Sequence, residues 1–353
     1  MFKILDLYIA RTLLGTITVT LSVLIGLSAL IKFVEQLRKV GEGNYDMMVA
    51  FLYVVLSLPR DLEQFFPMAT LLGGLVGMGV LASNSELVIM QAAGMSRWNI
   101  ITSAMKSSVV MILLVMAVGE WITPFSESKA KEIRTEAISG GSLFSSDQLV
   151  WAKDGEHFVS IGQVLSRDSL KDISIFDFND DLSLNTITYA KAGDFDGEHW
   201  WLRQVDTTKF SDENVSIDKA DHMRWSSTLT PDKLGIVAVK PEALSIRGLI
   251  DYVSYLDNNQ QDSSRYQLAL WRKILQPVSV GVMLLMALSF IFGPLRSVTM
   301  GARVIMGVLT GFGFFILNEV FGPVSLVYQL PPFFGALLPS LLFAAIAAFM
   351  LRK

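Results

Sequence analysis

The chain has 353 residues, 52% of them hydrophobic and 18% charged, with a mean hydropathy of +0.46 and a net charge of −4. Soluble domains carry about 25% charged residues, so this composition excludes an ordinary soluble enzyme and indicates a membrane protein. It contains no cysteine, so an exterior domain would have to be stable without disulfides.

The first apolar run, Thr12 to Ile31, carries no charge and meets the length of about 20 residues needed to span a bilayer. It is too long for a signal-peptide core and lacks a small-residue cleavage site, so it is expected to remain attached as a helix. Beyond it stand Lys32, Arg38 and Lys39. Lys32 and Lys39 are seven residues apart and are expected to share a helix face, with Glu35 four residues before Lys39. Met47 to Leu58 is apolar but only 12 residues long, and Pro59, Arg60, Asp61 and Glu63 separate it from the second span, Gln64 to Ser85. It is therefore expected to be a separate interfacial helix.

Ser83-Asn84-Ser85-Glu86 has the form of a capping box, in which the serine and the glutamate satisfy free amides at a helix start. The helix would run through Leu87 and Met90 and end at Gly94 as its C-cap. It is too apolar for a solvated connector, which leaves two readings: a coupling helix docked in a cytosolic ATPase, or a helix lying on the bilayer. The third span is expected from Trp98 to about Trp121, with Lys106 as its internal charge.

From about Phe125 to Ser264 the chain is polar and patterned for strands. Asp154-Gly155 lies between Leu149 to Ala152 and His157 to Ile161, and Asp196-Gly197 between Ile187 to Ala192 and Trp200 to Val205; both are hairpin signals. Ile173-Ser174-Ile175 alternates. A sandwich, jelly roll or open barrel fits equally well, and Ser245 to Ser264 is expected to be helical. The fourth span is Ile274 to Leu295. Gly322-Pro323 and Pro331-Pro332 divide the rest into a fifth span, about Gly301 to Phe321, and a sixth, about Phe333 to Leu351.

Basic residues near span ends set orientation. An inside N-terminus places Lys3, Arg11, Arg97, Arg296, Arg303, Arg352 and Lys353 on the cytoplasmic face and the polar insert outside. Lys32, Arg38 and Lys39 are then three cations on the side normally poor in them. A lone lysine there would anchor a helix at the headgroups; three fit a negatively charged amphiphile, whose phosphates pair well with Arg and Lys.

The chain lacks G-x-x-x-x-G-K-[ST], H-E-x-x-H and G-x-S-x-G. Its three histidines, His157, His199 and His222, all lie in the insert, so no metal site is expected in the bundle. No acid occupies the middle of the clearest spans and Glu319 lies near the end of the fifth, which disfavours an ion-coupled transporter. Asp61, Glu63 and Glu120 could serve a membrane enzyme acting on envelope lipids, although none has a recognisable partner motif. A scaffold that holds envelope proteins through the β domain is a third class.

Longer motifs narrow these classes. They are Ile31-Lys32-Phe33-Val34 with Gln36-Leu37, Phe65-Phe66-Pro67-Met68, Ser85-Glu86-Leu87-Val88 with Met90-Gln91-Ala92, and Gly119-Glu120-Trp121. Further along come Gly140-Gly141-Ser142-Leu143, Trp151-Ala152-Lys153-Asp154-Gly155, the run from Leu229 to Gly235 and the run from Ala287 to Ser297. On these, over essentially its whole length, the chain resembles the lipopolysaccharide export permeases of the LptF/LptG family, nearest their LptG branch. Arg38 departs from the pattern, since a second lysine is common there, but it keeps the charge.

The resemblance implies an α-helical bundle of six transmembrane helices with an inserted periplasmic all-β, jellyroll-like domain. Residues 1–124 would hold three spans and a coupling helix at about 84–94, residues 125–267 the β domain, and residues 268–353 the last three spans. The chain would be a multi-pass protein of a bacterial inner membrane with both termini cytoplasmic. It would bind no cofactor and no nucleic acid, and would pair with an LptF-like paralogue over an LptB-like ATPase homodimer that uses ATP and Mg. An LptC-like single-span jellyroll protein would join them. Lipopolysaccharide would leave the outer leaflet of the inner membrane and pass to a periplasmic β-jellyroll bridge toward the outer membrane. Lys32, Arg38, Lys39 and Arg134 match family positions that bind its phosphorylated headgroup, and Glu86 matches the coupling-helix acid, with Leu87, Met90 and Gly94 in the same helix. Gly73-x-x-x-Gly77 and Gly307-x-x-x-Gly311 would allow close approach of spans two and five, either as adjustable partner-facing gates or as ordinary packing within the chain.

Overall fold

The computed structural model describes residues 3–139, 150–155, 157–166, 168–179, 181, 183–211, 214–231, 240–293 and 299–352. Gly140 to Leu143, Leu149, Asp232 to Gly235, Pro294 to Ser297 with Arg296, and Lys353 lie outside the described residues.

Helices α1 (Lys3–Leu37) and α2 (Met47–Ser83) are 35 and 37 residues long. At 1.5 Å per residue each is about 50 to 55 Å, well beyond a hydrocarbon core of about 30 Å. The break expected between Leu58 and Gln64 does not occur: α2 is continuous from Met47, with Pro59 and Pro67 inside it. Its charged turn is compatible with burial because each charge has a partner. Asp61 pairs with Lys32 at 2.5 Å, Glu63 with Lys273 at 3.0 Å and Arg60 with Glu127 at 3.5 Å. Membrane helices tolerate proline where neighbours compensate the freed backbone.

A short helix, α3 (Glu86–Ala92), leads to α4 (Arg97–Ala117), a π-helical turn (Val118–Ile122) and α5 (Thr123–Ser139). Helical backbone therefore continues 17 residues past the π turn, where strand-patterned chain was expected from Phe125. After the sheet come α6 (Ile246–Asn258), α7 (Ser264–Ile274), α8 (Gln276–Phe292), α9 (Met300–Val327) and α10 (Pro332–Arg352). Gly322-Pro323 does not end the fifth span, since Pro323 lies inside α9. There the Arg272 guanidinium donates to the Asn318 carbonyl, in the stretch that Pro323 disturbs. By length and apolar composition five of the described helices can cross a membrane, and a sixth crossing forms if α7 and α8, bent by 51°, count as one.

The bundle core centres on α2 and α8, with Leu71, Leu75, Met78, Leu284 and Leu288 buried among residues of α1, α4 and α10. Both small-residue motifs are used here. A Cβ on Gly73 would lie 2.5 Å from the Ile17 Cα and one on Gly77 2.5 Å from Thr16 Oγ1, while the Thr16 hydroxyl donates to the Gly73 carbonyl at 2.8 Å. Gly307 and Gly311 seat α9 on Leu72, Leu75, Met68 and Leu71 of α2. The four glycines close seams within this chain, α1 on α2 and α9 on α2.

The six described strands are β1 (Val150–Asp154), β2 (His157–Ser166), β3 (Ser169–Phe178), β4 (Leu184–Phe195), β5 (Trp200–Phe210) and β6 (Val215–Trp225). They form one antiparallel sheet in sequential order, with no jelly-roll crossover among the described residues. Both expected hairpins are present: Asp154 pairs with His157 and Phe195 with Trp200, and Gly155 and Gly197 take φ of +63° and +106°. At the second hairpin Asp196 accepts from the His199 and Glu198 amides and the Trp201 indole, which holds its carboxyl down to about 2. One face buries Val159, Ile161, Ile173, Leu202 and Trp200 against Tyr252, Tyr255 and Leu256 of α6. The Tyr255 hydroxyl donates to the Lys153 carbonyl at 2.8 Å, so α6 ties the sheet to the chain's return toward the bundle.

Candidate functional site

Two clusters lie at opposite ends of α2. At its start the α1–α2 connection folds onto α5: the Asn44 amide donates to the Ala137 carbonyl at 2.7 Å, and buried Tyr45 donates to the Gln36 side chain at 3.1 Å. Gly41 and Gly43, with φ of +101° and +54°, turn the chain here. Helix α1 therefore ends at Leu37, and Lys39 lies in the following turn with its amide on the Gln36 carbonyl. The expectation that Lys32 and Lys39 share one helix face is corrected accordingly, and Glu35 and Lys39 form none of the ion pairs among the described residues.

The cations differ in their surroundings. Lys32 Nζ lies 2.5 Å from Asp61 Oδ1, and the Ser28 hydroxyl donates to the other carboxylate oxygen at 2.9 Å. Arg134 on α5 stacks its guanidinium 5.3 Å from the ring centre of Tyr53 on α2, a cation–π contact. Arg38 is exposed and Lys39 half-buried, and neither has an acid partner among the described residues. Lys131, which the sequence did not single out, lies within electrostatic reach of Glu127, Arg60, Lys240 and Arg134. Its spacing from Arg134, three residues along α5, was the signal available for it.

Asp61, Glu63 and Glu120 are each tied to another helix. Asp61 holds α1 through Lys32 and Ser28. Glu63 pairs with Lys273 of α7, and Gly119 admits it, since a Cβ there would lie 2.6 Å from the Glu63 carboxyl carbon. Glu120, in the π turn, accepts the Ile246 amide at 2.7 Å and so supplies an acceptor at the start of α6.

At the other end of α2 the capping box is not formed. Ser83 still belongs to the last turn of α2 and donates back to the Val80 carbonyl, so only Asn84 and Ser85 separate the helices. Ser85 takes a left-handed φ of +63°, and the Asn84 side-chain Nδ2 donates to Glu86 Oε1 at 3.3 Å. The Tyr8 hydroxyl also stands beside the Glu86 carboxylate. Gly94 does end the helix as expected: at φ +95° its amide bonds to the Gln91 carbonyl and that of Met95 to the Met90 carbonyl, the Schellman arrangement. Leu87 and Met90 are buried in the chain's own core, so they anchor α3 and leave no surface for a partner. The surface offered outward is Val88, 59% exposed, and Ile89, 65% exposed, beside Glu86.

Residues 7–353 match the family model described as lipopolysaccharide export system permease LptF/LptG. The lipopolysaccharide export system permease protein LptG of Escherichia coli K12 is 50% identical over 355 residues, covering 100% of this chain and 99% of the relative. LptG of Haemophilus influenzae Rd is 48% identical with the same coverage. LptF of E. coli K12 is 24% identical over 168 residues, 47% of this chain and 46% of the relative. A match across the spans, the sheet and both end clusters has one consequence: the chain belongs to the LptF/LptG family of lipopolysaccharide export system permeases.

Proposed function

We propose that this chain is one permease half of an ATP-driven exporter that draws lipopolysaccharide from the outer leaflet of the inner membrane and passes it to a periplasmic bridge. The observation that carries this reading is the full-length 50% identity to a lipopolysaccharide export permease. An LptF-like paralogue supplies the other half, an LptB-like ATPase dimer binds α3 from the cytoplasm, and an LptC-like protein joins at the membrane. The β domain is periplasmic and, with its partners, forms a jellyroll-like path.

The physics supports this division of labour. Each acyl CH₂ exposed to water costs about 0.8 kcal/mol, so a many-chained lipid needs an apolar route throughout. Helices α1 and α9 are the spans least covered by this chain, with 11% and 17% of their apolar windows buried against 67% for α2. These two faces are left for lipid and for the paralogous half. The headgroup meets Lys32, Arg38, Lys39 and Arg134 at one end of the bundle, and the motor pushes on Glu86, Val88 and Ile89 at the other. Helix α2, which touches both clusters, links them as one continuous helix.

Two substitutions test the two ends. Lys32→Gln, which removes the charge but keeps a donor beside Asp61, is expected to reduce crosslinking of lipopolysaccharide by about tenfold or more in assembled complex, from the loss of a charge-assisted contact; normal crosslinking would remove the headgroup role. Glu86→Lys is expected to release or uncouple the ATPase, and a complex of normal yield and turnover would remove that contact.

A further inference from the structure

We infer that Asp61 is a built-in competitor for the lipid phosphate on Lys32, an inference that rests on Lys32 being a headgroup ligand. The Asp61 side chain is 3% exposed and its two oxygens are divided between Lys32 Nζ at 2.5 Å and the Ser28 hydroxyl at 2.9 Å. Ser28 and Lys32 are one helical turn apart on α1, so a single face of that helix grips the carboxylate. Lys32 itself is 28% exposed and can still be reached from outside.

In the described structure Lys32 is the one member of the proposed headgroup set whose charge is already matched by an acid. A carboxylate and a phosphate present an ammonium with the same kind of anionic oxygen acceptor, so the lipid competes with Asp61 for the charge of Lys32. On exchange Asp61 keeps the Ser28 hydroxyl as a donor but loses its counter-charge, a cost that favours its return to Lys32. The carboxylate is held on α2 and acts at high effective concentration, which favours its return to Lys32 when the lipid is moved on. Asp61 thereby trades affinity for release, which an exporter needs at an entry site.

A pair that only ties α1 to α2 makes the opposite prediction, since losing Asp61 would let Lys32 drift and weaken binding. The test uses the full chain assembled with its paralogue and ATPase in nanodiscs containing lipopolysaccharide, with retained lipid counted by mass spectrometry and ATP-driven release followed in time. Asp61→Asn, close in shape, and Asp61→Ser are both expected to retain more lipid and release it about tenfold more slowly at normal complex yield. The gain is expected to vanish when Lys32→Gln is added. Loss of lipid in either Asp61 variant, or a gain that persists without Lys32, would overturn the proposal. Lys32→Gln alone leaving retention unchanged would instead sink the headgroup reading on which it rests.

Discussion

Lys273→Ala is expected to lower the stability of the bundle by about 3 to 5 kcal/mol, the cost of leaving one member of a buried ion pair without its partner. Lys273 and Glu63 are each 10% exposed and 3.0 Å apart, and the same ammonium reaches the Gly119 carbonyl at 3.3 Å. Removing it leaves the Glu63 carboxylate buried among α2, α4 and α7, with Gln276 donating only to the Glu63 backbone carbonyl. Replacing both residues, as Glu63→Gln with Lys273→Met, is expected to recover most of the loss, because a neutral pair of similar volume leaves no unpaired buried charge. Thermal unfolding of the detergent-solubilised complex measures both. Equal destabilisation by the single and double variants would show that the charge pairing is not what holds these helices.

Gly73→Leu is expected to have an effect of similar size by a different route. The new Cβ would stand 2.5 Å from the Ile17 Cα, a backbone atom that cannot turn aside, so α1 must move away from α2. Overpacking a side chain costs about 1 to 3 kcal/mol, and a clash with backbone lies at or above the top of that range. The seam also carries the Thr16 hydrogen bond to Gly73 and lies on the helix pair that brings Lys32 to Asp61. Gly26→Leu is the control, since nothing lies within 4 Å of its Cβ position in the chain. Yield and melting temperature of the purified chain are expected to fall for Gly73→Leu and to hold for Gly26→Leu; equal behaviour would contradict the close seam.

These ion pairs and seams explain what could be seen in the chain and what could not. Hydropathy located the spans because about 20 apolar residues have few other uses. It misplaced the boundaries at Pro59 and at Gly322-Pro323, since proline ends a helix most reliably where water competes for the freed carbonyls. In α2 and α9 the neighbouring helices supply donors instead: Gln276 of α8 to the Glu63 carbonyl, four residues before Pro67, and Arg272 of α7 to the Asn318 carbonyl, adjoining the one that Pro323 frees. The Asp-Gly hairpins were legible because left-handed φ values select glycine, whereas the arrangement of the sheet was not, because alternation reports one face and not which strands are neighbours. At the α2–α3 turn Gly94 announced its cap, but Ser83-x-x-Glu86 misled because the serine was still held by the preceding helix. Leu87 and Met90 are legible as apolar residues of a short helix, yet only packing distinguishes them from Val88 and Ile89. Asp61 went unpaired in the reading of the basic cluster because its partner is 29 residues away on another helix. An acid inside an otherwise apolar helix is itself a sign of a buried partner.

The most direct test is to reconstitute the purified chain into lipopolysaccharide-loaded proteoliposomes, alone and together with its paralogue and the ATPase, and to follow ATP consumption and lipid extraction in parallel. The account predicts neither activity from the chain alone and coupled activity from the assembly; lipid extraction by the chain without the ATPase would contradict it.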